Sequence, residues 1–184
     1  MKQFFILCLV LSLAACGSTS EIKSVDGGRS DLNLSSYESA VVLDFTDGTK
    51  KSNAPAFAGK NFADRIAANI NEQGIFKKVS REPLAEKSVV ISGAITKYTE
   101  GSAGLRLLIG LGAGSSYFSA DVNISDSENK AVLGKIIVDK NSWALGGMMA
   151  SAQTPDTFMT EAAKKIAKEV AAAKTHTPDD MASK

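Results

Sequence analysis

Few side chains here could do chemistry, and their spacing narrows the choice further. The single histidine, His176, stands in the polar C-terminal run Lys174-Thr175-His176-Thr177-Pro178. A general base needs a nucleophile and an orienting group set around it by a fold. A terminal run offers neither, so His176 reads as a surface residue. Both cysteines, Cys8 and Cys16, fall near the N-terminus, without the spacing that builds a zinc site. Asp44, Asp47 and Thr49 bring oxygen donors together, yet they complete only part of a calcium loop and read as a turn. Gly110-Leu111-Gly112-Ala113-Gly114 has the glycine density of a phosphate loop but lacks its closing Lys and Ser/Thr. Glu82 and Glu86 read as solvated charge. The sequence therefore predicts no catalytic residues, metal ligands or cofactor, no evident small-molecule substrate, and a protein that is not an enzyme. With 21 Lys+Arg against 20 Asp+Glu there is also no basic stripe for nucleic acid.

The chemistry that remains belongs to Cys16. Met1-Lys2-Gln3 is a short positive start, Phe4 to Leu11 an apolar run, and Ser12-Leu13-Ala14-Ala15 a small-residue end. That is the order of a secretory signal, and the run is shorter than the ~20 residues that span a bilayer core. Leu13-Ala14-Ala15-Cys16 resembles a bacterial lipobox, with cleavage between Ala15 and Cys16. Small residues suit a narrow peptidase site, and a thiol forms the thioether to a diacylglyceryl group. Palmitate-like chains contribute ~0.8 kcal/mol per buried methylene, and two or more give stable anchoring. A plain secretory signal with a coincidental cysteine is the alternative. Gly17 stands where inner-membrane lipoproteins commonly carry Asp, which implies the periplasmic face of the outer membrane. Cys8 leaves with the signal, so no thiol remains for a disulfide.

Beyond the anchor, the pattern divides the chain into residues 1–15 (signal), 16–38 (lipidated Cys and tether), 39–173 (one domain) and 174–184 (disordered tail). The tether is rich in Ser, Gly and Asp, with a root-mean-square span on the order of 25 Å. Leu32 and Leu34 could instead pack along the domain edge. Continuous apolar content predicts a central strand over Ser39–Phe45. A helix follows from near Pro55 to Gln73, striped by Phe62, Ala63, Ile66, Ala67 and Ile70 and closed by Gly74. Short strand signals lie at Ile75–Val79 and Ser88–Tyr98. Tyr117–Ser125 alternates strictly, and a turn at Asp126–Asn129 returns it through Ala131–Asp139. Thr154, Pro155 and Asp156 are cap, first position and first turn of a final helix. The fold class expected is α+β: a mixed, mostly antiparallel sheet (β-α-β-β-β-β-α) with two helices on one face. A folded part of about 135 residues buries near two-thirds of its unfolded surface, enough for a core without a staple.

Two connectors do not suit a plain domain. Gly101–Gly114 and Asn141–Ala152 are apolar and glycine-rich where connectors are normally polar. The strand order sends both to one end of the sheet. Three readings stand: a folded-over helical turn from Leu105 to Leu111; a contact surface of Leu107, Leu108, Ile109, Leu111, Trp143, Leu145, Met148 and Met149 for a partner or another copy; or membrane insertion. Large exposed apolar patches usually mark one of the latter two.

The lipobox, Val41-Val42-Leu43-Asp44-Phe45, Phe57 to Ala63, Ile91 to Thr96, the Arg106–Gly114 segment and the strand pair after it together resemble a family of small proteobacterial lipoproteins with a domain of unknown function. More distantly the pattern is similar to the periplasmic domains of curli-secretion-channel lipoproteins and of lipoprotein activators of peptidoglycan synthases. The resemblance implies non-catalytic envelope work by protein contacts. The expected function is a lipid-anchored protein-binding or assembly module. Its partners are the membrane through acylated Cys16, and an envelope protein or a second copy. The alternative is a subunit of an oligomeric export or channel assembly, although the connectors are shorter than channel hairpins. An envelope hydrolase is the least favoured reading.

Overall fold

The computed structural model describes residues 20–24 (backbone only), 32–50, 53–108 (backbone only from 106), 114–142 and 153–175. Strands β1 (Ser20–Ser24), β2 (Ser39–Val42), β3 (Thr46–Asp47), β4 (Lys78–Ser80), β5 (Ser88–Thr99), β6 (Tyr117–Asp126) and β7 (Val132–Asn141) form one sheet, with helices α1 (Ala58–Gln73), α2 (Ala103–Leu108) and α3 (Pro155–Thr175). The strand order is β1-β7-β6-β5-β2-β4, with β3 added beside β5. The long β5-β6-β7 meander is antiparallel, while β2, β3 and β4 join in parallel. α1 packs on β2, β4 and β5, α3 packs on β6 and β7, and the two helices pack on each other. The expected α+β class holds.

Each element follows from its side chains. β2 is buried along its whole length, as its unbroken apolar run implies. β6 turns Phe118, Ala120, Val122 and Ile124 into the core and leaves the alternate face polar. α1 buries Phe62, Ala63, Ile66, Ala67 and Ile70, and ends at Gly74 with φ 64°. Phe62 stacks edge-on against Phe45 at 4.9 Å and Phe118 at 5.0 Å, joining helix to sheet at the centre of the core. Pro155 opens α3, and the Thr157 amide donates to Thr154 Oγ1 at 3.2 Å, the cap expected from the sequence.

Four boundaries differ from expectation. β2 stops at Val42, and the chain rejoins β5 as β3, opposite Ala94 and Ile95. α1 begins at Ala58 rather than near Pro55. Gly59 lies so close to the Phe45 carbonyl that a Cβ would sit 1.8 Å from its oxygen. The helix therefore starts where it can press on the β2–β3 corner. The strand expected from Ile75 begins its ladder only at Lys78, because Phe76 turns into the core. Finally, the stretch expected as a tether carries β1, which pairs with β7, and a segment packed on the domain. Leu34 is fully buried and its amide donates to the Ala173 carbonyl at 2.9 Å. Without β1, the amides and carbonyls of the outer β7 edge would lack partners.

Candidate functional site

Register fixes where the two apolar connectors arise. Thr99 pairs with Tyr117, and Tyr117 pairs with Asn141, so β5 ends, β6 starts and β7 ends at one level. The β5–β6 and β7–α3 connectors thus leave the same end of the sheet. Two serines bind their roots. The Ser142 amide donates to the Ser116 carbonyl at 3.0 Å, and the Ser116 amide donates to Ser142 Oγ at 2.7 Å. The Ser116 hydroxyl shares its proton between the Glu100 carbonyl at 2.6 Å and the Gln153 carbonyl at 2.9 Å. Ser116 and Ser142 are both buried, so these bonds are shielded from water. One clasp therefore ties together the start and finish of both connectors.

Inside the first connector, the Ser102 amide donates to the Gly114 carbonyl at 2.9 Å. Gly114 has φ 71°, and a Cβ there would meet the Ser102 carbonyl oxygen at 2.6 Å, so the closure requires glycine. α2 rises from this closure with Leu105 45% exposed. On the open face, a bulge between Ile95 and Lys97 swings Lys97 beside Tyr117, its ammonium 3.6 Å from the ring centre. On the helix side, Tyr98 is half-buried. Burial first, and then the Glu100 and Asp156 carboxylates, push its hydroxyl pKa up. Arg65, midway along α1, donates to Asp156 Oδ1 at 2.5 Å, the Asp156 carbonyl at 2.7 Å and Thr160 Oγ1 at 2.8 Å, locking the middle of α1 to the start of α3. Buried Lys140 donates to Glu161 at 2.6 Å. Among the described residues, the polar groups of this end are spent on joining chain segments to one another.

The sequence pattern of DUF4410, a domain of unknown function, matches residues 18–146. The chain belongs to the DUF4410 family. No curated protein sequence matches it. Among solved structures, a PelC dodecamer from Paraburkholderia phytofirmans has a TM-score of 0.56 at 15% identity, over 82% of this chain and 97% of that one. A PelC point variant from the same organism, also a dodecamer, has a TM-score of 0.55 at 14% identity, over 83% and 98%. A Xanthomonas campestris protein of the DUF330 family has a TM-score of 0.47 at 11% identity, over 72% and 83%. The DUF4410 domain thus shares the PelC fold.

Of the contact residues expected from the sequence, Leu107 and Leu108 lie in α2 of the DUF4410 domain. Ile109, Leu111, Trp143, Leu145, Met148 and Met149 lie outside the described residues, as do Ala15, Cys16 and His176. The turn reading of Asp47 holds: its Oδ1 accepts from the Thr49 amide at 2.9 Å and hydroxyl at 2.7 Å, which holds its carboxyl below the usual range. Asp44 meets Arg81, whose guanidinium also binds the Val42 carbonyl and, at 2.7 Å, Asp64. This is an ion-paired brace from the end of β4 to β2 and α1. Among the described residues no three His, Cys, Asp or Glu side chains group to hold a metal, and no helix is long and apolar enough to cross a membrane. Sequence reasoning missed the Ser116–Ser142 clasp. Its only trace is a small polar residue beside each strand end, a signal shared by ordinary turns.

Proposed function

We propose that this DUF4410 domain is a non-catalytic module of the cell envelope, held at the periplasmic face of the outer membrane by lipid on Cys16, that works by assembling with protein. The observation that carries this reading is the common root of both apolar connectors. The Ser116 hydroxyl binds the carbonyls of Glu100 and Gln153 at once, so a buried clasp spends its polar groups on presenting two connectors together. The proposed contact residues are Leu107, Leu108, Ile109, Leu111, Trp143, Leu145, Met148 and Met149. Photo-crosslinkers at Leu108 and Met148 in intact cells test it. A discrete adduct from both positions supports the reading, and none from either ends it.

A second reading, a subunit of an oligomeric export or channel assembly, is favoured by one specific observation. The two PelC structures compared above are dodecamers. Head-to-tail contacts close into rings when the rotation permits. Sedimentation of the detergent-extracted chain separates the two readings, since a ring-sized species supports the second and a monomer removes it.

A further inference from the structure

We infer that the connector end of the sheet faces the lipid surface, with Leu105 of α2 and the Lys97–Tyr117 pair at the membrane interface. This rests on Cys16 as the lipid-bearing residue and adds an orientation to it. Ser20, the first residue of β1, pairs with Lys140, Lys140 pairs with Phe118, and Phe118 pairs with Tyr98. Each of these lies one position inside Asn141, Tyr117 and Thr99, where the connectors begin. From Ser20 the strand runs away from that end, to Ser24 opposite Ile136. The first residue of β1 therefore lies at the connector end.

Cys16 stands four residues before Ser20. Four extended residues reach at most about 14 Å. A lipid on Cys16 thus tethers this end close to the bilayer. The opposite end, the turn between β6 and β7, lies a whole strand away, and the 10 residues of β6 extend over roughly 33 Å.

The groups at the near end suit that position. Leu105 is exposed. Tyr117 with Lys97 over its ring combines an amphipathic aromatic with a long-stemmed cation. Both side chains favour the headgroup layer, the ring within it and the ammonium reaching toward phosphate. Two carboxylates of this region, Asp156 and Glu161, are matched by Arg65 and Lys140, which weakens repulsion from anionic headgroups. Any protein that meets the connector end then does so in the plane of the membrane surface.

The test uses the full chain expressed in its native envelope, purified in detergent and reconstituted into phosphatidylethanolamine–phosphatidylglycerol vesicles. Leu105→Cys or Val132→Cys carries a fluorophore, and intact mass reports whether Cys16 is acylated. Both positions are exposed, so neither substitution disturbs the core. The expected result is severalfold stronger quenching at Leu105 than at Val132 by nitroxide-bearing lipid, and the reverse by aqueous iodide. Acylated chain with equal iodide quenching at the two positions overturns the orientation and leaves the anchor standing. A fluorophore at Leu105 shielded from both quenchers overturns it too, because a protein then covers that end. Mass without lipid on Cys16 overturns the anchor and the orientation together.

Discussion

The two ends of the sheet are closed in opposite ways. At the β6–β7 turn, buried Asp126 accepts the Glu128 amide at 2.7 Å, the Asn129 amide at 3.2 Å and the Tyr37 hydroxyl at 2.7 Å, with Lys87 3.7 Å away. The Ser127 amide donates to the Ser88 carbonyl, and the Ser88 amide donates to Ser127 Oγ. That end of the β6–β7 pair closes in a short turn. At the other end the Ser116–Ser142 clasp gathers four chain segments, and long apolar connectors continue past it. Each end keeps one buried side-chain oxygen with no partner among the described residues, Ser88 Oγ and Gln153 Oε1. Turn chemistry ends a sheet, whereas a clasp made on backbone carbonyls leaves the chain beyond it free to take any sequence that function requires. The first end closes on neighbouring residues of one turn, and the second joins segments far apart in sequence.

That contrast can be broken or sharpened by substitution. Phe62→Ala removes the ring that joins α1 to Phe45 and Phe118, so both ends should weaken together, by about 3–5 kcal/mol in urea unfolding. A loss confined to one end by hydrogen exchange would deny them a common core. Ser116→Ala removes the hydroxyl that the Glu100 and Gln153 carbonyls share, a loss of about 1–3 kcal/mol. Amide exchange should then quicken at Ser102 and Ser142 and stay unchanged at Ser127 and Lys130.

Tyr37→Phe should do the converse, quickening exchange at the turn and lowering the thermal midpoint by about 2–4 °C. It should also alter the pH profile. Burial, and then the bond to Asp126, push the Tyr37 hydroxyl up to about 12. Its stabilisation is thus complete below the unfolded value near ~10 and is lost as pH rises toward that higher value. The Tyr37 hydroxyl and the Glu128 amide hold Asp126 below the usual carboxylate range. The Asp126 contribution is present above ~3.9 and lost as pH falls through the lowered value. The Phe variant should therefore show a shallower acid limb, and an alkaline limb reduced to what Tyr98 contributes. The smallest effect belongs to Val132→Thr, exposed beside the turn. A shift within about 0.5 kcal/mol is expected, and a larger one would show that the turn end carries a contact of its own.

Much of this was legible from local pattern. The α1 and α3 stripes, the β6 alternation, Thr154 and Pro155 at the α3 start, and Gly74 at the α1 end all depend on near neighbours in sequence. β1 was not legible. Five residues in a Ser- and Gly-rich stretch carry too little pattern, and only the open edge of β7 recruits them. The bulge that brings Lys97 to Tyr117 was hidden for the same reason, since it exists only in the register of two strands. Leu34 reads from the sequence equally as tether or domain edge, and its burial in the core beside the end of α3 is a tertiary outcome.

By itself, the amino-acid order determined the α+β class, most element positions and the poverty of reactive groups. Periodicity, caps and residue counts are properties of neighbouring residues and need no partner from afar. Tertiary structure alone decided that residues 100, 116, 142 and 153 meet in one clasp. It also decided that Ser20, the first residue of β1, lies at the same end of the sheet. Both are consequences of strand register, and register is set by the burial of whole faces across the sheet, not by any segment on its own.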